Sequence, residues 1–322
     1  LIFHLTAALT ATAPPPSPAT RDLISAAELE RLNERRDGPG LRQLAFHLAV
    51  LLVGGLVWGS EVLPLSLRLL GLVLLGAGLA FGFCAMHECG HRTAFQSRRL
   101  NDAVAWVAGA LSFYNADFYR RYHQWHHRYT HQIGLDPELE EAPPHNLASY
   151  LLELSGIPWW VGKIRGHARG LAGAFEGCPY VPEAVAPKVV RSIRLQVGLY
   201  AVLAVASIAF GSDALLRFWL LPLALGQPLL RFVLMAEHGG CPFEPDGLRN
   251  TRTTLTLAPL RRLMWNMPFH AEHHLYPSLP FHAAPEAHAL LAPHLAHIGA
   301  GYWAVHRTFR RDLAALALPQ AG

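Results

Sequence analysis

The sequence predicts an all-α integral membrane protein with four transmembrane helices, and three observations carry that class. Only 16% of its 322 residues are charged and 52% are hydrophobic, where an ordinary soluble chain carries ~25% charge. Four apolar runs, near residues 44–60, 65–86, 195–211 and 214–236, approach the ~20 residues that take a helix across a bilayer. Basic residues are sorted: 24 of the 27 Lys and Arg fall in residues 1–43, 86–194 and 235–322. This balance excludes a disordered chain, an ordinary soluble enzyme and a nucleic-acid binder with long basic tracts. Cys84, Cys89, Cys178 and Cys241 form no CxxC pair, which excludes a disulfide framework, a zinc ribbon or a built-in rubredoxin.

In chain order, residues 1–43 read as a cytoplasmic N-terminal segment. Residues 1–9 are too short to span, and no Lys or Arg precedes them, so no signal peptide is expected. Pro14, Pro15, Pro16 and Pro18 mark an extended linker. Ser25 and Glu28 fit a capping box that opens a charged, solvated helix to about Arg36. Residues 44–322 form the membrane domain. The connectors 59–64 and 211–213 are short enough to make two helical hairpins, and they hold no Lys or Arg. Arg68 and Arg217 lie near span ends, where a long side chain snorkels to the interface. A fifth apolar run, 103–114, is ~18 Å long as a helix, too short for a ~30 Å hydrocarbon core. It is expected to be amphipathic or re-entrant. The positive-inside rule then puts both termini and the large loops in the cytoplasm, here that of a bacterial inner membrane.

The 19 histidines supply the chemistry. His87 and His91 stand at the inner end of the second span, His123, His126 and His127 after the short fifth segment. His238 stands at the inner end of the fourth span, and His270, His273 and His274 in the C-terminal segment. All nine fall on one membrane face. Spacings of three and four residues share a helix face, so each cluster aims its imidazoles together. At the His frequency of this chain an HxxHH triplet is expected ~0.07 times by chance, and two occur. Nine imidazoles exceed the four ligands of one zinc and suit two metal ions. The ligand type admits Zn, Cu, Fe or Ni. His4, His47, His145, His167, His282, His288, His294, His297 and His306 are expected to be structural, and His131, one turn beyond His127, sits between the two readings.

Two rival metal readings are weaker. His87-Glu88-Cys89-Gly90-His91 is a literal HExxH, the zinc metalloprotease motif with Glu as general base. A membrane protease needs a further carboxylate ligand, and Asp213 lies on the opposite face. It also leaves seven clustered histidines unemployed. Glu88 and His91 form half of a ferritin-like site, but the residues three after Glu237 and Glu272 are Gly240 and Leu275, so the second ExxH is absent.

With these residues in view, the sequence resembles the membrane fatty acid desaturase superfamily over roughly residues 83–284. That clan includes acyl desaturases, alkane and fatty acid hydroxylases and carotenoid ketolases. His87 and His91 match its first box, HxxxH. The second and third, both HxxHH, fall at His123, His126, His127 and at His270, His273, His274. His238, in Ala236-Glu237-His238-Gly239, is similar to the family's separate ninth ligand. Residues 250–254 and 264–277 are similar to bacterial members.

The resemblance implies a mushroom-like fold, four spans under a cytoplasmic helical cap that holds a di-iron site. It implies two Fe, O2 as co-substrate and two electrons from an external donor. No HPGG occurs, so a separate ferredoxin, rubredoxin or cytochrome is expected. No catalytic residue apart from the metal centre is expected. A fatty acyl chain is the leading substrate. A hydroxylase or ketolase acting on an alkane, terpenoid or small amino-acid-like molecule is the alternative. Beside the nine ligands, Glu88, Glu237, Glu272, Asp117 and Asp136 are candidates to orient imidazoles. Trp125, Trp265 and Phe269 are candidates to line a substrate tunnel. Arg120, Arg121, Arg128, Arg261 and Arg262 are candidates to dock an acidic carrier or a substrate carboxylate, and Cys89 is expected to be packing.

Overall fold

The structure is a computed structural model that describes residues 23–313 and 316; the proline linker lies outside the described residues. Helices dominate, and the strands among the described residues are two short parallel ones, β1 (Thr253–Thr254) and β2 (Ile298–Gly299). Four helical segments are long and apolar enough to cross a membrane: Asp37–Gly59, Leu65–His91, Ala186–Ala209 and Leu216–His238.

Each hairpin follows from its sequence, with two extensions. After the short helix α1 (Ala26–Leu32), helix α2 (Asp37–Gly59) begins before the apolar run because Asp37 in its first turn suits the positive helix N-terminus. It turns through a short connector into α3 (Leu65–His91), entered after Pro64. The third span begins at Ala186 rather than near 195. Pro187 sits in its first turn, where its missing N–H is harmless, and Lys188, Arg191 and Arg194 hide that turn from a hydropathy reading. The fourth starts as a π-turn, Leu216–Leu220, before the α-helical part Leu221–His238. Pro222 has no N–H for the carbonyl four residues back, which accounts for the widening.

α3 is buried along most of its length, with the first and fourth spans packed on it, whereas the third span packs against Ile157–Ala172 and Ala116–Tyr129. The contact of α3 with Leu221–His238 is backbone to backbone. A Cβ on Gly226 would stand 2.1 Å from the Gly76 carbonyl oxygen, and one on Gly76 2.5 Å from that of Pro222. Small residues permit this approach in a membrane. Outward, Leu52, Leu56, Val202, Val205 and Ile208 are exposed, as lipid-facing residues should be.

The short fifth run is a helix, Arg98–Leu111, capped by Ser97. It lies against α3 and leads into Ala116–Tyr129, capped by Asn115. Two smaller helices, Leu147–Leu154 and Ile157–Ala172, precede the third span. Helices Ala258–Leu263, His270–Leu275, Ala284–Leu291 and Tyr302–Arg311 follow the fourth.

The N-terminal helix corrects the expectation of a free surface element. It covers Ala26–Leu32, ending before Arg36, with the Ser25 hydroxyl accepting from the Glu28 amide. Ile24 and Leu32 are buried against Leu279, Ala283, Ala287 and Leu291, and Arg31 pairs with Glu286 at 2.5 Å. It is docked on the C-terminal segment.

Candidate metal centre

Four helices bring the nine predicted histidines to one end of the bundle. α3 ends on His87 and His91, closed by Arg92 in the left-handed conformation. Helix Ala116–Tyr129 carries His123, His126 and His127. His238 is the last residue of the fourth span, and His270, His273 and His274 sit on the single turn and a half that starts at His270. That short helix is anchored through fully buried Glu272, which receives the Thr253 hydroxyl from β1 and contacts His288 Nδ1. His288, expected to be merely structural, is thus the clamp on the third box.

The nine separate into two groups. The donor nitrogens of His87, His91, His123, His127 and His273 all lie within 4.8 Å of one another. Those of His126, His238 and His274 form a second such set. His270 joins it, its Nε2 lying 3.2 Å from His238 Nε2 and 3.1 Å from His274 Nε2. The partition cuts across the boxes reciprocally. On one helix His123 and His127 go to the first group and His126 to the second. On the other His270 and His274 go to the second and His273 to the first. Residues four apart share a face and the one between them at i+3 is turned by ~100° from i+4, so an HxxHH triplet serves two points.

These residues fit a pair of metal ions. His127 Nε2 lies 2.9 Å from His123 Nε2 and 3.0 Å from His273 Nε2, and a neutral imidazole has only one N–H to give. Buried His87 Nε2, His91 Nε2, His123 Nδ1, His127 Nδ1 and His270 Nδ1 have no hydrogen-bond partner. The Nε2 atoms of His123, His127 and His273 converge with too few protons to bond one another, and His87 Nε2 and His91 Nε2 beside them are unpartnered, an arrangement that a cation resolves. Burial, then the neighbouring imidazoles, push His123, His127, His270, His273 and His274 well below the ordinary histidine range. They are neutral, the ligating form.

The second group carries its own supports. His126 Nδ1 donates to Asp136 at 2.8 Å, His238 Nδ1 to the Asn250 carbonyl at 3.0 Å and His274 Nδ1 to Thr130 Oγ1 at 3.1 Å. Each ring therefore turns Nε2 inward. Burial opposes charge on His126, but Glu138 and Asp136 outweigh it and hold it at about 9. Glu138 was not singled out by the sequence. Its Oε2 lies 3.7 Å from His126 Nε2, and it groups with His123 and His126 as a metal-holding set. The signal available was its position two residues after Asp136, whose carboxylate accepts the Glu138 amide at 2.9 Å.

The other expected residues divide. Asp136 orients an imidazole, and Glu237 Oε2 stands 3.5 Å from His270 Nε2. Glu88 instead accepts from Thr93 and from the Phe281 amide, and Asp117 pairs with Lys188 at 2.7 Å. Glu88 thus serves neither as an imidazole partner nor as the free base a protease needs. Trp265 and Phe269 line a cavity of ≈ 20 Å³ with Cys84, His87, His270 and His273, whereas Trp125 bonds the Leu135 carbonyl. Arg120 is committed to Asp102 at 2.5 Å and the Gly90 carbonyl at 2.9 Å, so it braces α3 instead of docking a partner. Arg128, Arg261 and Arg262 lie over Tyr129, Phe269 and Phe46, while Arg121 is exposed. Cys89 is buried packing. His131 is tied to the Pro242 carbonyl at 3.0 Å, outside both groups.

Comparison with known proteins gives one family. The fatty acid desaturase profile matches residues 64–306. The chain is 26% identical over 155 residues to an sn-1 oleoyl-lipid 12-desaturase of Anabaena variabilis, covering 46% of this chain and 43% of that one. With the protein of that name from a Synechocystis species the figures are 27% over 177 residues, 48% and 50%. With that of a Picosynechococcus species they are 25% over 246 residues, 67% and 66%. The chain spans about half the length of the first two.

Proposed function

Because this chain belongs to the fatty acid desaturase family, matched over residues 64–306, we propose that it is an O2-dependent membrane desaturase that uses two irons to remove two hydrogens from a lipid acyl chain. The family match and the four apolar helices support a desaturase-like membrane oxidoreductase. The finer reading rests on one observation, the split of nine histidines into two donor groups. His87, His91, His123, His127 and His273 would hold one iron and His126, His238, His270 and His274 the other.

Bound iron would supply the oxidising power to break unactivated C–H bonds, with O2, two electrons and two protons consumed and two waters formed per double bond. The chain's own residues prepare the place. Asp136, the Asn250 carbonyl and Thr130 fix the second group's rings. Trp265, Met267, Phe269, Leu279 and Phe281 place apolar side chains beside His87 and His273, which shields that side of the histidines from bulk water. Electrons would come from a ferredoxin-, rubredoxin- or cytochrome-type donor. The histidine end faces the cytoplasm of a bacterial inner membrane, supported by the sorting of 24 of 27 basic residues to that side. Residues 44–322 act as one membrane domain. Labelling of single cysteines placed at Arg36 and in the loop 143–187 tests that sidedness, and protection from a cytoplasmic reagent would reverse it.

The test of the reaction is mass spectrometry of lipids from cells with and without the protein. Acyl chains lighter by 2 support desaturation. Products heavier by 16 replace it with hydroxylation, and an unchanged lipid pool removes the reading.

A further inference from the structure

Arg231 belongs to no histidine box. It sits two turns before His238 in the fourth span, in an otherwise apolar stretch, and an ionisable residue at such a position needs a partner or a purpose. Its guanidinium donates to the Tyr114 hydroxyl at 3.0 Å, and its Nε is buried with no hydrogen-bond partner. Lys163, from helix Ile157–Ala172, holds its ammonium 3.7 Å from the centre of the same tyrosine ring. Trp159 completes the wall, donating its Nε1 to the Tyr114 oxygen at 2.8 Å with the Arg231 guanidinium 5.7 Å from its ring.

Two features set this place apart from an internal ion pair. Among the described residues no carboxylate forms a salt bridge with Lys163 or Arg231 within 4.0 Å. Glu138 and Glu153 bear on the pair only from farther away. The Tyr114 oxygen already accepts two hydrogen bonds, so its own O–H and the buried Arg231 Nε–H are donors with no acceptor, while the Lys163 ammonium rests on the π face of the same ring. Burial, then the charge of Arg231, lower Lys163 to about 7, the strain that two cations sharing a shielded space should show. An incoming anion would accept from the Arg231 Nε–H and the Tyr114 O–H and pair with the Lys163 ammonium.

The place communicates with the metal centre through rings. Tyr114 lies 4.8 Å from Phe83 and 5.8 Å from Tyr119. Phe83 lies 6.1 Å from His87, and Tyr119 stacks 5.0 Å from His123. On its other side, Ile157, Val161 and Ile164 of the Lys163 helix are exposed, an apolar surface along which a lipid can enter.

We propose that Lys163, Arg231 and the Tyr114 hydroxyl form a binding site for the anionic head, carboxylate or phosphate, of the lipid substrate, held two aromatic rings from His87 and His123. This deepens the lipid-desaturase reading and rests on it. It assigns the head-group role that the sequence placed on Arg120 and its neighbours to two cations that no box contains.

The test is equilibrium binding to the full chain purified in detergent, followed by tryptophan fluorescence, with sodium oleate, methyl oleate and dioleoyl phosphatidate as probes. Oleate or phosphatidate should bind at least ~10-fold more tightly than the uncharged ester, the scale of charge-assisted hydrogen bonds. Tighter oleate identifies a free carboxylate as the head and tighter phosphatidate a phospholipid. Arg231→Gln and Lys163→Met should each bring the anion to within about twofold of the ester, with ester binding unchanged, and Arg231→Lys should keep much of the preference. Lys163→Met lies on a half-exposed helix, which covers the case in which Arg231→Gln fails to insert. Equal binding of all three probes by the wild type, or a preference that survives both neutral variants, overturns the proposal. Lipid mass spectrometry separates the two readings. An anion preference lost in the variants with no lipid product keeps the site and removes the reaction, whereas a desaturated product without any preference does the reverse.

Discussion

The two histidine groups are made of the same side chain but are held differently. In the second group three of the four rings, His126, His238 and His274, have Nδ1 fastened, to a carboxylate, a backbone carbonyl and a hydroxyl, while His270 Nδ1 is buried without a partner. In the first, His87, His91, His123 and His127 each keep a buried nitrogen without a partner, and ring contacts of 4.4 to 5.1 Å among them set their orientation. Both groups border the small cavity, the first through His87 and His273 and the second through His270, but only the first reaches the aromatic path to Tyr114, through His87 and His123. Outer hydrogen bonds raise ligand basicity and fix the tautomer. The difference teaches that hydrogen bonds from the protein fix three of the four rings of the second group, whereas the first is set mainly by packing of its rings on one another.

That contrast can be broken at graded strengths. Replacing His238 by Ala strikes hardest. It removes a ligand from the second group and should cut turnover by about 100-fold or more while the protein remains folded and inserted. Metal analysis should then find about one iron per chain, and retention of both irons with normal turnover would undo the partition. Asp136→Asn is the next step. It keeps the shape but not the charge beside His126, and should weaken metal at the second group by about 10- to 100-fold in a chelator titration, leaving the first group unchanged. Thr130→Val removes the acceptor for His274 Nδ1 and the hydroxyl's own bond to the His126 carbonyl, and should weaken the same metal by about tenfold or less. A loss from the first group instead would show that the two are not held separately. His145, exposed and outside every cluster, is the zero point, and His145→Ala should leave both metals and turnover intact.

Much of this was legible in the residues. Apolar runs located the spans, and the spacing of three and four placed each cluster on a helix face. The starts at Asp37 and Ala186 were not legible, because a charged or proline-bearing first turn is helical without being apolar. The docking of Ile24 and Leu32 on Leu279 and Leu291 joins chain segments more than 200 residues apart, for which a single sequence carries no signal. The histidine boxes were readable but their division was not. It depends on which side of His126 and His273 the partner helices arrive. Arg231 was overlooked although a lone cation within an apolar run is itself a signal. Lys163 carried none, since one lysine on an amphipathic helix reads as a solvated face.

The central claim is that two unlike metal positions exist. It is met most directly by Mössbauer spectroscopy of protein expressed with iron-enriched medium and quantified for metal. The account predicts two irons per chain in two unequal environments, and in His238→Ala one environment that persists. A single metal per chain, zinc without iron under iron-sufficient expression, or two irons that His238→Ala leaves untouched would contradict it.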